Sequence, residues 1–256
     1  MRVQVLVAAM HQTDKSLLEK MNIRSDVIVA NQCDRNEIED FQWNGHHVRY
    51  LNFAERGVGL NRNNALMRAD GDICLFADDD LRYRDDYVEV IEKSFEAHPD
   101  ADVLVFNLTE KEPTRRVIQK TERVHFWNFL RYGTARVAIR YAAVRQNGIY
   151  FNQCFGGGTE HCHGEDNLFL AACLQKGLKI YAIPACIADL TEERESSWNT
   201  GYDEKYLRDQ GVLYRTMTRR FWRLLCLQDA LRHRNLYKMP ISRVLALMMG
   251  SASASR

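Results

Sequence analysis

Three consecutive carboxylates, Asp78-Asp79-Asp80, follow directly on the apolar run Ile73-Cys74-Leu75-Phe76-Ala77. A buried strand that ends in acids places those acids at its open tip. Side chains alternate along an extended tip, so Asp78 and Asp80 are expected on one side and Asp79 on the other. Two carboxylates on one side suit Mn²⁺ or Mg²⁺, hard cations that complete their shell with water and the oxygens of a diphosphate. Asp79 is left to bond a ribose or a neighbouring loop. A second acidic pair, Glu165-Asp166, opens a helical pattern behind the glycine run Gly156-Gly157-Gly158. An acid at a helix start can simply cap it and meet its dipole. It can also take the proton of an attacking hydroxyl, and the helix terminus helps to keep it ionised. Asp166 is the candidate base, with Glu165 binding the acceptor or orienting the loop.

The elements that must position these acids alternate in type. Residues 3–9 and 26–30 are apolar runs of strand length, and 47–51 is a weaker third. Gly57-Val58-Gly59 forms a loop into a helix over 61–68, and Asp70-Gly71-Asp72 marks a turn. Residues 84–98 place Tyr87, Val88, Ile91 and Phe95 on one helical face, and Pro99 stops that helix. Another strand follows at 102–106. The alternation predicts an α/β fold with a mostly parallel central sheet and helices on both sides. In such sheets ligands gather at the carboxyl ends of strands, where Asp78 stands. Residues 110–160 are irregular and aromatic. The helix opened by Glu165 is expected to end at Gly177, and a strand over 179–183 to be closed by Pro184. From about residue 203 the pattern is helical. The chain divides into a part over 1–110 that holds the aspartate triplet, a part over 111–200 that holds Glu165-Asp166, and a helical C-terminal extension over 201–256.

Composition narrows the classes. With 46% hydrophobic and 27% charged residues the chain can bury a core, so disorder is not expected. A net charge of +1 argues against a nucleic-acid partner held by phosphate contacts. The seven cysteines are odd in number, scattered and without a CxxC pair; Cys74, Cys173 and Cys226 lie in apolar stretches and read as small core residues. A reducing, cytoplasmic compartment fits that usage. The N-terminal apolar run is too short for a signal peptide, and no segment has the roughly 20 apolar residues needed to span a bilayer.

In order and spacing these pieces resemble family 2 glycosyltransferases of the GT-A (Rossmann-like) fold. The matching parts are the first two strands, the segment Gly57-Val58-Gly59-Leu60-Asn61-Arg62-Asn63-Asn64-Ala65, the Asp78-Asp79-Asp80 strand tip, Gly164-Glu165-Asp166, and Glu195-Ser196-Ser197-Trp198 with Gly201-Tyr202 and Lys205-Tyr206. The resemblance implies an inverting, metal-dependent transfer of a hexosyl group from a nucleotide-sugar, with UDP the family-weighted nucleotide, to a hydroxyl acceptor. It makes Asp78 and Asp80 the DxD metal site and Asp166 the base. It makes 1–110 the nucleotide-sugar-binding half and 111–200 the acceptor-binding and catalytic half of one domain, sets Arg62 near the donor nucleotide, and sets Ala9, His11, Asn31 and Asp34 around base and ribose. A glycan or lipid-linked acceptor and a role in bacterial surface-polysaccharide synthesis belong to the same implication. The chain departs from the family where Ala8-Ala9-Met10-His11 replaces a Pro-Thr-Tyr-Asn-like turn, and where Asp189-Leu190-Thr191 stands in a region that usually holds a histidine. Those departures motivate the alternative of a non-catalytic binding or scaffold subunit. A sugar-phosphate nucleotidyltransferase is disfavoured because Met10-His11-Gln12-Thr13 is neither glycine-rich nor basic.

Other signals are weaker. In His161-Cys162-His163 only the two histidines share a side in extended chain, and no second ligand pair has zinc-like spacing. His163, Gly157 and Gly158 are expected at the acceptor entrance, and Trp198 as an acceptor contact or lid. The basic-aromatic stretch around residues 219–223 is a candidate for peripheral contact with the inner face of a membrane. Residues 239–249 could extend that apolar face or support a homo-oligomer.

Overall fold

The computed structural model of the chain describes residues 1–110, 115–191 and 201–250. Strand β1 (Val3–Met10) is buried almost end to end. A short helix, α1 (Ser16–Lys20), leads to β2 (Asp26–Gln32) and then to a hairpin of β3 (Glu37–Trp43) and β4 (His46–Phe53). Next come α2 (Val58–Arg68), β5 (Ile73–Asp78), the short β6 (Leu81–Tyr83), α3 (Tyr87–Ala97) and β7 (Val103–Thr109). The aromatic middle holds β8 (Glu122–Val124), two 3-10 turns, β9 (Val137–Arg140) and α4 (Tyr141–Gln146). Helix α5 (Glu165–Gln175) and β10 (Ile180–Leu190) precede the C-terminal helices α6 (Glu204–Met217), α7 (Trp222–Arg232), α8 (Arg234–Tyr237) and α9 (Ile241–Gly250).

The strands form one sheet in the order β3-β4-β2-β1-β5-β9-β7-β10-β6, with β8 also on β10. The pairings β4-β2-β1-β5 are parallel, and β7-β10 is parallel again. Because β9 is antiparallel to both β5 and β7, those two still run the same way, and the sheet is mostly parallel in strand direction. Side chains of β1 divide between its two faces. Leu6 joins the core that contains Phe76, Phe151 and Phe169, and Val5 and Val7 join the core that contains Tyr83, Tyr87 and Phe95. Both faces are covered, which is why the strand reads as an unbroken apolar run.

Four local features differ from the sequence reading. β3 was not expected, since its residues alternate between exposed and half-buried at the sheet edge. Its hairpin turns on Asn44 (φ 49°) and Gly45 (φ 83°), the left-handed pair that a two-residue turn requires. β9 occupies only four residues inside the sheet. β10 does not stop at Pro184; its register with β7 shifts between Ala182 and Cys186, so the missing amide falls outside the regular ladder, and Asn107 Nδ2 donates to the Pro184 carbonyl at 3.2 Å. Finally, β5 ends at Asp78, and Asp79-Asp80 form a turn into β6, so strand alternation does not govern where the three acids point.

The C-terminal helices have their own small core, with Leu207, Trp222, Cys226, Tyr237, Val244 and Leu247 among its members. Helix α6 also sends Leu213 and Met217 into the main core, which welds the two together. At Gly211 an added Cβ would lie 1.9 Å from the Met248 carbonyl oxygen, so α6 and α9 cross at backbone contact. Val244, Leu247 and Met248 are buried there, which leaves the inner face of α9 inside the molecule rather than on an outer surface. All seven cysteines are free, with Cys74, Cys173 and Cys226 buried. No described helix is long and apolar enough to cross a membrane.

Candidate active site

Helix α2 carries buried Asn61, Arg62, Asn63 and Asn64, an unusual load for a packed helix. Each side chain makes at least one hydrogen bond, although Asn61 Oδ1 and Arg62 Nε are buried without a partner among the described residues. Asn61 Nδ2 donates to the Ala30 carbonyl at 2.9 Å, Asn63 exchanges two bonds with the Phe151 backbone, and Asn64 Nδ2 donates to Glu55 at 2.8 Å. The helix can come this close because Gly59 has no side chain: a Cβ there would sit 2.7 Å from the Asn152 carbonyl oxygen. These contacts hold Arg62, only 5% exposed, at the carboxyl end of the sheet.

The Arg62 guanidinium joins the two acidic clusters. Nη2 donates to Asp78 Oδ1 at 2.8 Å, while Nη1 donates to Asp166 Oδ1 at 2.7 Å and Glu165 Oε1 at 3.1 Å. Burial works against a charged guanidinium, but the fields of Asp78, Asp166 and Glu165 outweigh it and hold Arg62 protonated. The carboxylates therefore line one crevice of about 630 Å³, together with Ala9, Met10, Gln32, Tyr132 and Gly157.

The two walls are held differently. Asp166 Oδ2 accepts from the Thr134 amide at 3.0 Å, and the Thr134 hydroxyl donates to Oδ1. Asp166 is 27% exposed and faces the crevice, whereas Glu165 is 13% exposed and lies under the glycine run. A Cβ on Gly156 (φ 97°) would meet the Glu165 carboxyl carbon at 2.7 Å, so only glycine fits over it. Burial first, then the charge of Asp166, raises the Glu165 carboxyl above the usual carboxylate range despite Arg62. On the opposite wall, Gln12 Nε2 donates to Asp79 Oδ2 at 3.2 Å. Asn31 fixes Gln12 in turn, accepting from its amide at 3.0 Å and donating to its carbonyl at 2.9 Å. The Asp80 carbonyl accepts from the Thr191 amide and hydroxyl, which ties the acidic turn to the end of β10. The Asp80 carboxyl is pushed up to about 6 by burial first and then by Asp78 and Asp79. It is the least compensated acid of the turn, and a divalent cation fits such a site. Among the described residues no three His, Cys, Asp or Glu side chains converge on one metal position, so a cation here would lean on diphosphate oxygens and water.

The expected residues fall into three groups. Ala9, Arg62, Asp78, Asp79, Asp80, Gly157, His163, Glu165 and Asp166 line the crevice. Asn31 is fully buried and acts from behind through Gln12. Asp34, 91% exposed, pairs with Arg56 at 2.9 Å outside the crevice lining; exposed His11 and Gly158 also lie outside it. Trp198 lies outside the described residues. The His161-Cys162-His163 segment is engaged by α6, with His161 on Asp209 at 3.0 Å and His163 on Gln210 at 2.7 Å. Burial works against ionised Asp209, but Lys205, His161 and Cys162 outweigh it and hold its carboxyl below the usual range. Gln12, Gln32 and Thr134 had not been singled out. Their partners are distant in sequence, and no short-range spacing marks them.

On α7 the face with Phe221, Leu224, Leu227 and Leu231 is exposed, by 50%, 62%, 41% and 52%, while Trp222 is buried.

The model of glycosyl transferase family 2 matches residues 8–153, which include Arg62 and the acidic turn and stop before Glu165. No curated protein matches the sequence. Among solved structures, S. aureus TarS 1–349 in complex with UDP-GlcNAc superposes with a TM-score of 0.66 at 14% identity, covering 100% of this chain and 93% of that one. The same TarS fragment in complex with UDP gives 0.62 at 15% identity, covering 100% and 92%. At these identities the likeness is one of fold. With the family model spanning more than half of its residues, the chain belongs to glycosyl transferase family 2 and is a glycosyltransferase with a GT-A fold.

Proposed function

We propose that the crevice transfers a sugar from a UDP-sugar to a hydroxyl acceptor, with inversion. The observation that carries this reading is the Arg62 fork, which holds a diphosphate-side acid, Asp78, and a base-side acid, Asp166, about one guanidinium apart. Family membership and the fold shared with UDP- and UDP-GlcNAc-bound TarS support a nucleotide-sugar donor. In this reading Asp166 takes the proton of the attacking hydroxyl, and Thr134 and Arg62 fix the orientation of its carboxylate. Of the Asp166 oxygens, Oδ2 carries fewer bonds and is the one left to receive the proton. Glu165 supports the glycine run rather than the chemistry. Arg62 remains charged throughout and keeps the acids from repelling one another. Asp80 and the free oxygen of Asp78 would hold Mn²⁺ or Mg²⁺, which supplies charge neutralisation for a departing diphosphate. Asp79, positioned by Gln12, is left to orient the ribose.

Calorimetry with UDP, with and without Mn²⁺, tests the donor side. Metal-dependent binding, coupled to UDP-sugar turnover that fails in Asp166→Asn, is expected. A chain that binds UDP in neither condition does not use a UDP-sugar, and one that binds no other nucleoside diphosphate either would be a scaffold with a transferase fold. The exposed α7 stripe, with Arg220 and Arg223 beside it, supports a further element of the reading: peripheral contact with an anionic membrane where lipid-linked acceptors reside.

A further inference from the structure

A second cavity, of about 790 Å³, opens beside the crevice and shares Arg115, Leu130, Arg131, His163 and Asn167 with it. Asn167 follows the candidate base directly on α5. An acceptor whose hydroxyl lies at Asp166 therefore has one continuous path, past His163, into this cavity. One wall presents Phe126 and Trp127, which are 54% and 77% exposed. Trp127 is not loose: it stacks on His125 with centroids 4.2 Å apart and planes 18° apart, leaving its other face open. Facing elements contribute Tyr202, Tyr206 and Tyr237, with Tyr206 stacked on His163 at 4.4 Å. Flat aromatic faces with hydroxyls near them are how proteins receive saccharide rings, because the C–H faces of the ring lie on the π surface.

The charges around the cavity add a second constraint. Arg115 and Arg116 pair with Glu110 and Glu122. The carboxylate inside, Asp229, is spent on His233 and on the Tyr237 hydroxyl, which donates to it at 2.8 Å. Among the described residues neither Arg131 nor Arg232 has a carboxylate partner, and both side chains are exposed. The lining is thus aromatic with uncompensated guanidinium groups, on a chain whose net charge is only +1.

We propose that this cavity is the acceptor subsite and that it takes an acidic saccharide, with a sugar ring on Trp127 and a carboxylate or phosphate on Arg131 and Arg232. The proposal rests on the transferase reading of the adjoining crevice for its role, but the binding it requires is measurable alone. Ligand-observed NMR titrations of the full chain would use cellobiose, the corresponding disaccharide carrying a glucuronate, and glucose 6-phosphate. At least a fivefold preference for either acid over the neutral sugar is expected, and the stronger acid identifies the anion as carboxylate or phosphate. Trp127→Ala is expected to weaken the preferred acid about 3–10-fold, as loss of an aromatic platform does. Arg131→Gln should weaken it about 10-fold and remove most of the preference over cellobiose. Melting curves check that both variants remain folded. Equal binding of neutral and acidic sugars, or full retention by Trp127→Ala, overturns the proposal. UDP titrated into the wild-type chain separates the two readings: failure there removes the UDP-sugar reading of the crevice, whereas saccharide results bear on this cavity alone.

Discussion

Asp80→Asn should make the metal-free protein more stable at neutral pH. The Asp80 carboxyl rises from 3.8 to about 6 through burial and the neighbouring Asp78 and Asp79. Its native-state proton affinity exceeds that of the unfolded chain, so the native state retains a proton that the unfolded state releases. The carboxyl therefore weighs nothing against folding below about pH 4, and its penalty grows as the pH rises through 6. At full burial the rise would correspond to about 3 kcal/mol. Asp80 is half-buried and faces an open crevice, so solvent reduces this to about 1–2 kcal/mol. An asparagine keeps the shape and removes the charge. For a chain of this length the gain corresponds to a Tm higher by about 2–4 °C. Thermal melts in EDTA at pH 4, 5, 6 and 7.5 would show the variant's advantage appear across that range. In a second arm, Mn²⁺ at tenfold over its Kd should raise the wild-type stability by about 1.4 kcal/mol and leave the variant unchanged. An advantage that is independent of pH, or a variant less stable than wild type at pH 7.5, would refute the reasoning, because Asp80 would then be well compensated in the native state.

Asp166→Asn should lower transfer by a factor of about 10²–10⁴ while UDP affinity by calorimetry stays within about threefold, since the donor side does not use that carboxyl. Arg62→Gln removes the charge that three acids share in the fork, and urea unfolding should show a loss of about 3–5 kcal/mol; a loss below about 1 kcal/mol would mean the acids are solvated individually. For the α7 stripe, Leu224→Asp with Leu231→Asp should abolish co-sedimentation with anionic vesicles, and wild-type chains that bind neutral and anionic vesicles equally would remove the arginines from that contact.

Much of the sheet was legible because β1, β2, β5 and β7 are covered on both faces and so read as solid apolar runs. The two acidic clusters were legible for the same reason: each adjoins an element whose end is plain in the sequence. What escaped has physical causes. β3 is an edge strand with little buried surface, and only the Asn44-Gly45 turn announces it. β9 draws its stability from neighbours on both sides and needs no periodic pattern of its own. Reasoning from strand alternation did not reach Asp79 and Asp80, because they leave the strand and form the turn into β6, which pairs with β10. Asn31 and Thr134 were opaque as to role: their partners, Gln12 and Asp166, lie 19 and 32 residues away. Arg62 was readable as a site residue but not as the group that joins the two walls.

The crossing at Gly211 makes the floor of the crevice depend on α9. One turn of α6 offers its glycine to α9 and, immediately before it, Asp209 and Gln210 to the histidines beside the crevice. Deleting α9 would free that turn to drift, and the loop bearing His161 and His163 would drift with it. Engineers seeking a minimal sugar-transfer module from this scaffold should expect shortening from that end to blur acceptor choice before it touches nucleotide affinity.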